Sequence, residues 1–248
     1  MSINKVEKID DLVQVRNVLM SVSDKKGLDV LVPGLLEACP DVRILSTGGT
    51  YDAIKKIFER MVSAGGAPVI PESTEQSWMR HLEQVSTYTG QPETQGGLVK
   101  TLDFKIYLGL LTETYRPAHQ QDLARTNAVP IDLVVVNLYP FTETVKKAGT
   151  DSEDWRGNID IGGPCMIRAA AKNWHRVAVM TDPKDYADFL SALKENRGHT
   201  LLRDRYDLSR KAFRHTADYD TGIANHLEKV PFGPAVTGAY KEIANRGE

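Results

Sequence analysis

This sequence predicts an α/β fold, with a mostly parallel central sheet covered by helices on both faces. Three observations carry the prediction. Short apolar runs alternate with longer segments of helical periodicity, as strands joined by crossover helices require. Residues 131–138 (IDLVVVNL) are almost continuously branched and apolar, which suits a parallel strand buried on both faces. Residues 42–50 (VRILSTGGT) read as a strand running straight into a Gly-Gly turn and a helix.

Taken in order, residues 1–15 are a charged leader with room for one short helix. Residues 18–23 (VLMSVS) form a buried strand, and Ser23 is placed to cap the helix that follows. That helix carries Leu28, Leu31, Leu35 and Leu36 at helical spacing, and Pro33 inside it predicts a kink or a late start. After the second strand, Tyr51, Ile54, Ile57 and Phe58 define one face of a helix. Residues 61–95 are irregular, with Trp78 and His81 among their loops and a short strand at 68–70. Residues 106–111 (IYLGLL) are apolar enough for a buried strand, and 122–126 are helical in character. Tyr139, Pro140 and Phe141 end the strand at 131–138, so Tyr139 sits at a strand's carboxyl end, where open α/β sheets place ligands. A tyrosine packed at a sheet edge is the plainer reading.

Residues 176–181 are a further strand, and Asp182-Pro183 turns into a helix with Tyr186, Phe189, Leu190 and Leu193 on one side. Residues 201–228 are one long helix or two stacked ones, with Tyr206, Ala212, Phe213 and Ala217 available for packing. His215 and His226 lie there without metal-ligand spacing and read as structural or surface residues. Residues 231–248 are a tail of turn and short helix. The simplest division is a leader at 1–15, one domain at 16–228 and a tail at 229–248.

The composition excludes several classes. The 248 residues are 41% hydrophobic and 26% charged, ordinary for a globular chain, and a net charge of -2 gives no global attraction to nucleic acid or anionic membrane. Two cysteines, Cys39 and Cys165, are too few for a disulfide framework and read as small apolar fillers. The leader has no apolar core of the signal-peptide kind, and no run approaches the roughly 18 apolar residues of a membrane helix. A cytoplasmic protein is expected.

The stretch with the most chemistry is 159–173 (IDIGGPCMIRAAAKN). Asp160 stands between branched apolar residues. Gly162, Gly163 and Pro164 follow, and then a helix-forming run. Proline is well placed at a first helical position, so 160–163 reads as a tight loop opening a helix whose free N–H groups attract anions. Lys172 lies along that helix, with its side chain leaning back toward the loop. The alternative is a Gly-Gly turn capped by Asp160, with three alanines packing on a sheet. Thr47, Gly48, Gly49 and Thr50 are open to the same pair of readings, a phosphate cradle or a capped strand-to-helix turn.

Several stretches agree with one family. In order they are Ser21–Lys25 (SVSDK), Thr47–Thr50 (TGGT), Gly96-Gly97 with 99–102 (VKTL), 137–141 (NLYPF), 160–163 (DIGG) and 168–173 (RAAAKN). Over residues 16–228 they resemble the IMP cyclohydrolase domain, the N-terminal half of a bifunctional purine-biosynthesis enzyme that also carries a formyltransferase. The resemblance implies a methylglyoxal synthase-like, three-layer α/β/α sandwich. It implies ring closure of 5-formamidoimidazole-4-carboxamide ribotide (FAICAR) to IMP with loss of water, by a stand-alone homodimer without metal or organic cofactor. A separate formyl-transferring enzyme would supply the substrate. By similarity, Lys100, Tyr139, Asp160 and Lys172 form the catalytic set. Ser21, Ser23, Lys25, Thr47, Gly48, Gly49, Thr50 and Thr101 hold the 5′-phosphate. Asn137 and Gly163 also line the substrate, and the N–H groups near Ile161 and Gly162 receive the oxyanion. Asp160 and Lys172 are expected to transfer protons as a coupled pair.

The sequence departs from the family in one loop. Leu98 stands for an arginine, Asp103 for a histidine, Phe104 for a proline and Tyr107 for a further histidine. Lys105 or Arg80 is the nearest candidate to replace the missing cation. A non-catalytic nucleotide-binding or regulatory domain of the same fold is the competing reading. A methylglyoxal synthase reading leaves the NLYPF motif unexplained.

Overall fold

A computed structural model describes residues 5–63, 79–91, 101–139, 141–237 and 239–240. Five strands form an all-parallel sheet: β2 (Asn17–Val22), β3 (Arg43–Ser46), β4 (Leu82–Gln84), β5 (Leu133–Asn137) and β6 (Ala178–Met180), in the order β4-β3-β2-β5-β6. The strand β1 (Leu12–Gln14) pairs antiparallel with β7 (His199–Leu201) in a separate ribbon.

Strand alternation sorts the core into two halves. Val18, Met20 and Val22 of β2 face α1 (Leu28–Ala38), α2 (Gly48–Ser63) and α9 (Tyr186–Glu195). Leu19 of β2 and Val134 and Val136 of β5 face the other way. They meet α3 (Val85–Thr89), α4 (Phe104–Leu111), α8 (Gly162–Lys172) and α10 (Leu202–Leu227). The protein is therefore a three-layer α/β/α sandwich. The remaining described helices are α5 (Pro117–Thr126), α6 (Phe141–Thr144), α7 (Ser152–Gly157) and α11 (Phe232–Val236). No described helix is long and apolar enough to cross a membrane.

Four local expectations are corrected. The helix after β2 starts at Leu28, capped by Gly27 in the left-handed region (φ 77°), so Ser23 is not its cap. That helix also continues through Pro33 to Ala38. It packs so closely on α9 that a Cβ at Gly34 would lie 2.5 Å from Leu190. Residues 106–111 are helical, because Asp103 accepts the Lys105 N–H at 2.7 Å and Ile106, Gly109 and Leu110 share a buried face. The leader contains a strand where a helix was expected, since Leu12–Gln14 pairs with residues nearly two hundred positions later. The expected strand at 68–70 and Trp78 lie outside the described residues.

Candidate active site

All five parallel strands send their carboxyl ends to one edge of the sheet, and the polar turns gather there. Ser21 near the end of β2 and Thr47 after β3 join hydroxyls at 2.9 Å. Thr50, 2% exposed, accepts the Val22 N–H at 3.0 Å and donates to the Val22 carbonyl at 3.1 Å. Its side chain therefore ties α2 to β2 and is not free for a ligand. Gly48 and Gly49 form the first turn of α2, where N–H groups have no preceding carbonyl to meet. A Cβ on Gly49 would find nothing within 4 Å among the described residues. The Lys25 ammonium curls onto its own loop, donating to the carbonyls of Val22 and of Ser23 at 3.2 Å. Burial lowers its pKa, and Asp24 opposes that shift.

Asn137 ends β5. Its amide oxygen accepts the Asp24 N–H at 2.9 Å, and its amide nitrogen donates to the Asp24 carbonyl at 2.8 Å. Both polar ends are engaged, so the side chain clamps the loop after β2 where a substrate contact was expected. Two residues on, Tyr139 is 53% exposed at the rim.

The Asp160 turn is the most constrained part of this edge. The Asp160 carboxylate accepts the Gly163 N–H at 2.8 Å. A Cβ on Gly163 would lie 2.5 Å from the other carboxylate oxygen and 2.6 Å from Leu138. One on Gly162 would lie 2.6 Å from the hydroxyl of buried Thr101. Glycine is required at both positions by close approach, since neither has a positive φ. The helix begins at Gly162, two residues before Pro164, so the proline is not its first residue. Burial raises the Asp160 pKa, and the Gly163 N–H opposes it. Ile161 beside this turn is 59% exposed.

The expected Asp160–Lys172 pair is not formed within the chain. Lys172 ends α8, and at about 1.5 Å per residue it lies roughly 15 Å along the axis from Gly162. Its side chain is exposed and does not contribute to the Asp160 shift. The other polar members of that motif hold the fold. Asn173 donates to the carbonyls of Leu110 at 2.7 Å and Thr112 at 3.1 Å, and the Arg168 guanidinium lies 5.6 Å from the Phe213 ring centre. Lys100 and Leu98 lie outside the described residues. Lys105 donates to the Tyr88 carbonyl at 3.2 Å, and Arg80 to His81 at 2.9 Å, so both candidate replacement cations are engaged. The Tyr107 hydroxyl is buried beside Cys165, and burial raises its pKa.

Sequence reasoning missed Tyr219. This α10 residue accepts the Asp160 N–H at 2.7 Å and donates to the Asn158 carbonyl at 3.4 Å. No spacing within α10 marks it out. Among the described residues, no group of three or more His, Cys, Asp or Glu side chains is placed to hold a metal ion.

Fold and turns together define an α/β/α protein with a glycine-rich helix start and a half-buried carboxylate at one edge of a parallel sheet. Residues 170–245 match a family model described as the AICARFT/IMPCHase bienzyme. The chain is 41% identical over 234 residues to the bifunctional purine biosynthesis protein PurH from two strains of Leptospira biflexa serovar Patoc. Those matches cover 93% of this chain and 41% of each relative, so the chain spans about two-fifths of their length. A crystal structure of ForH superimposes with a TM-score of 0.66 at 29% identity, covering 86% of this chain and 99% of that one. The family model and the PurH relatives both support a likeness to the AICARFT/IMPCHase family of purine biosynthesis.

Proposed function

We propose that this chain is an IMP cyclohydrolase, closing FAICAR to IMP with loss of water. The observation that carries the proposal is the Asp160–Gly163 turn, where a half-buried carboxylate accepts the Gly163 N–H and has its pKa raised by desolvation. The similarity to PurH proteins supports the same reading.

In this reaction the carboxamide nitrogen attacks the formyl carbon of the same molecule. The protein must fold the two groups together and stabilise the oxyanion. The start of α2 receives the 5′-phosphate through the N–H groups of Gly48 and Gly49, with the paired Ser21 and Thr47 hydroxyls beside them. The Gly162 end of α8 receives the oxyanion, and Thr101 is in contact with that glycine. A carboxyl whose pKa is raised retains its proton to higher pH, which suits Asp160 to protonate the departing hydroxyl. Tyr139 covers the rim.

The test is to add the formamido ribotide and follow IMP formation by ultraviolet absorbance. Turnover well above the buffer rate is expected. No turnover, with IMP still bound, refutes the enzyme reading and leaves a nucleotide-binding domain.

A further inference from the structure

Two side chains of the helix α10, Arg205 and Tyr219, hold backbone on either side of α8. Near the start of α10, Arg205 is fully buried. Its guanidinium donates to the carbonyls of Trp174 and His175, both at 3.2 Å, just past the end of α8. It also holds the carbonyls of Asp10 at 2.6 Å and Asp11 at 3.1 Å. Fourteen residues later, about 21 Å along the axis, Tyr219 takes the N–H of Asp160 just before α8 begins. Between these anchors Ala212 is completely buried in the core shared with α8.

The Asp160 N–H lies outside the helix and has no helical carbonyl to meet. A backbone N–H partly withdrawn from water gains from a protein partner, and the Tyr219 hydroxyl is that partner. The same hydroxyl turns its own proton to the Asn158 carbonyl. One phenol therefore fixes the backbone on both sides of Ile159. The carboxylate of Asp160 is fixed separately, by the Gly163 N–H.

We propose that Tyr219 is a positioning residue, whose hydroxyl sets the backbone of Asp160 and thereby aims its carboxylate at the rim of the site. Arg205 fixes the far end of the brace. The proposal rests on reading Asp160 as the reacting carboxylate, and its test separates the two ideas.

Tyr219→Phe keeps the ring and removes the hydroxyl. Tyr206→Phe, an exposed site on the same helix, is the control. Two readouts are taken with each variant: kcat and KM for ring closure, and the titration of the Asp160 carboxyl by carbon NMR with labelled aspartate. Loss of one hydrogen bond to the turn is expected to lower kcat about tenfold, with KM within about twofold. The Asp160 titration is expected to move toward the ordinary carboxylate range as water reaches the loosened turn. Tyr206→Phe should change neither. An unchanged Asp160 titration in Tyr219→Phe overturns the positioning role. If the parent protein has no turnover, the titration alone decides: a shift keeps Tyr219 as the residue that sets this turn and leaves only the enzyme reading to fall.

Discussion

The two glycine pairs look alike in sequence but do opposite physical work, and alanine separates them. At Gly163 an added methyl would lie 2.5 Å from an Asp160 oxygen and 2.6 Å from a Leu138 methyl. Overpacking of this kind costs about 1–3 kcal/mol, and two groups must yield here, which places it in the upper half of that range. Alanine is worth about 1 kcal/mol over glycine in a helix, leaving a net loss of about 1–2 kcal/mol. For a chain of this size that lowers Tm by roughly 2–8 °C. The larger effect is on chemistry, because the displaced group is the carboxylate itself. A misplacement of about 1 Å can cost on the order of 100-fold in rate, and that is the expected fall in kcat. At Gly49 the methyl would meet nothing within 4 Å among the described residues. Gly49→Ala should therefore hold or raise Tm by about 1–4 °C. It should raise KM, because the methyl projects into the space an anion would fill. Calorimetry and ring-closure kinetics on the two variants decide the matter. A Gly163→Ala protein with parental Tm and kcat would refute the close-contact account, and a Gly49→Ala protein with parental KM would remove the α2 start from the site.

Three further predictions concern single side chains. Asp160→Asn keeps an oxygen for the Gly163 N–H but cannot ionise. Because the folded-state pKa is raised above the unfolded value, ionising Asp160 opposes folding; the penalty is complete above the folded pKa and relieved as pH falls through it. The variant should thus equal or exceed the parent in Tm at pH 7 while kcat falls by about two to four orders of magnitude; a lower Tm at pH 7 with normal kcat would contradict both points. Tyr139→Phe alters an exposed hydroxyl, so stability should stay within about 0.5 kcal/mol while kcat drops, and unchanged kcat would return Tyr139 to a sheet-edge role. Leu98→Arg should lower KM at least several-fold with kcat little changed, since a charge-assisted contact is worth about 1.5–3 kcal/mol and Lys105 and Arg80 are engaged elsewhere; an unchanged KM would show that this loop does not touch the substrate.

The sheet was legible because its strands carry their own signal. β5 is apolar on both faces and β2 has a run of buried apolar residues from Val18 to Met20, so no distant contact is needed to recognise them. Elements defined by partners were not legible. β1 is three residues of mostly exposed side chains and exists through its pairing with β7. The helix at Phe104–Leu111 was hidden because six apolar residues fit either period, and the deciding feature was the cap one residue before it. The site divided along the same line. Asp160, Gly162 and Gly163 are neighbours in sequence, and their chemistry was visible there. Tyr219 reaches Asp160 across 59 positions, and only the packing of α10 on α8 brings them together. Polarity was visible at Thr50 and Asn137, but the partners that occupy them were not.

The separation of Asp160 from Lys172 bears directly on the proposed chemistry. An ammonium held against a carboxylate stabilises its charged form and lowers its pKa. A coupled Asp160–Lys172 pair would therefore give up the carboxyl proton well before neutral pH, the wrong direction for a group that must protonate a leaving hydroxyl. In this chain the cation is carried to the far end of α8, and the shift at Asp160 is governed by burial, with one backbone N–H opposing it. Burial against Leu138 and the glycines does for this carboxyl what a paired lysine would undo. The requirement for glycine at 162 and 163 has the same origin. Side chains there would push the turn outward, hydrate Asp160 and return its pKa toward the ordinary range. The close packing of the turn and the raised pKa are thus one property, set by how tightly α8 starts against the end of β5.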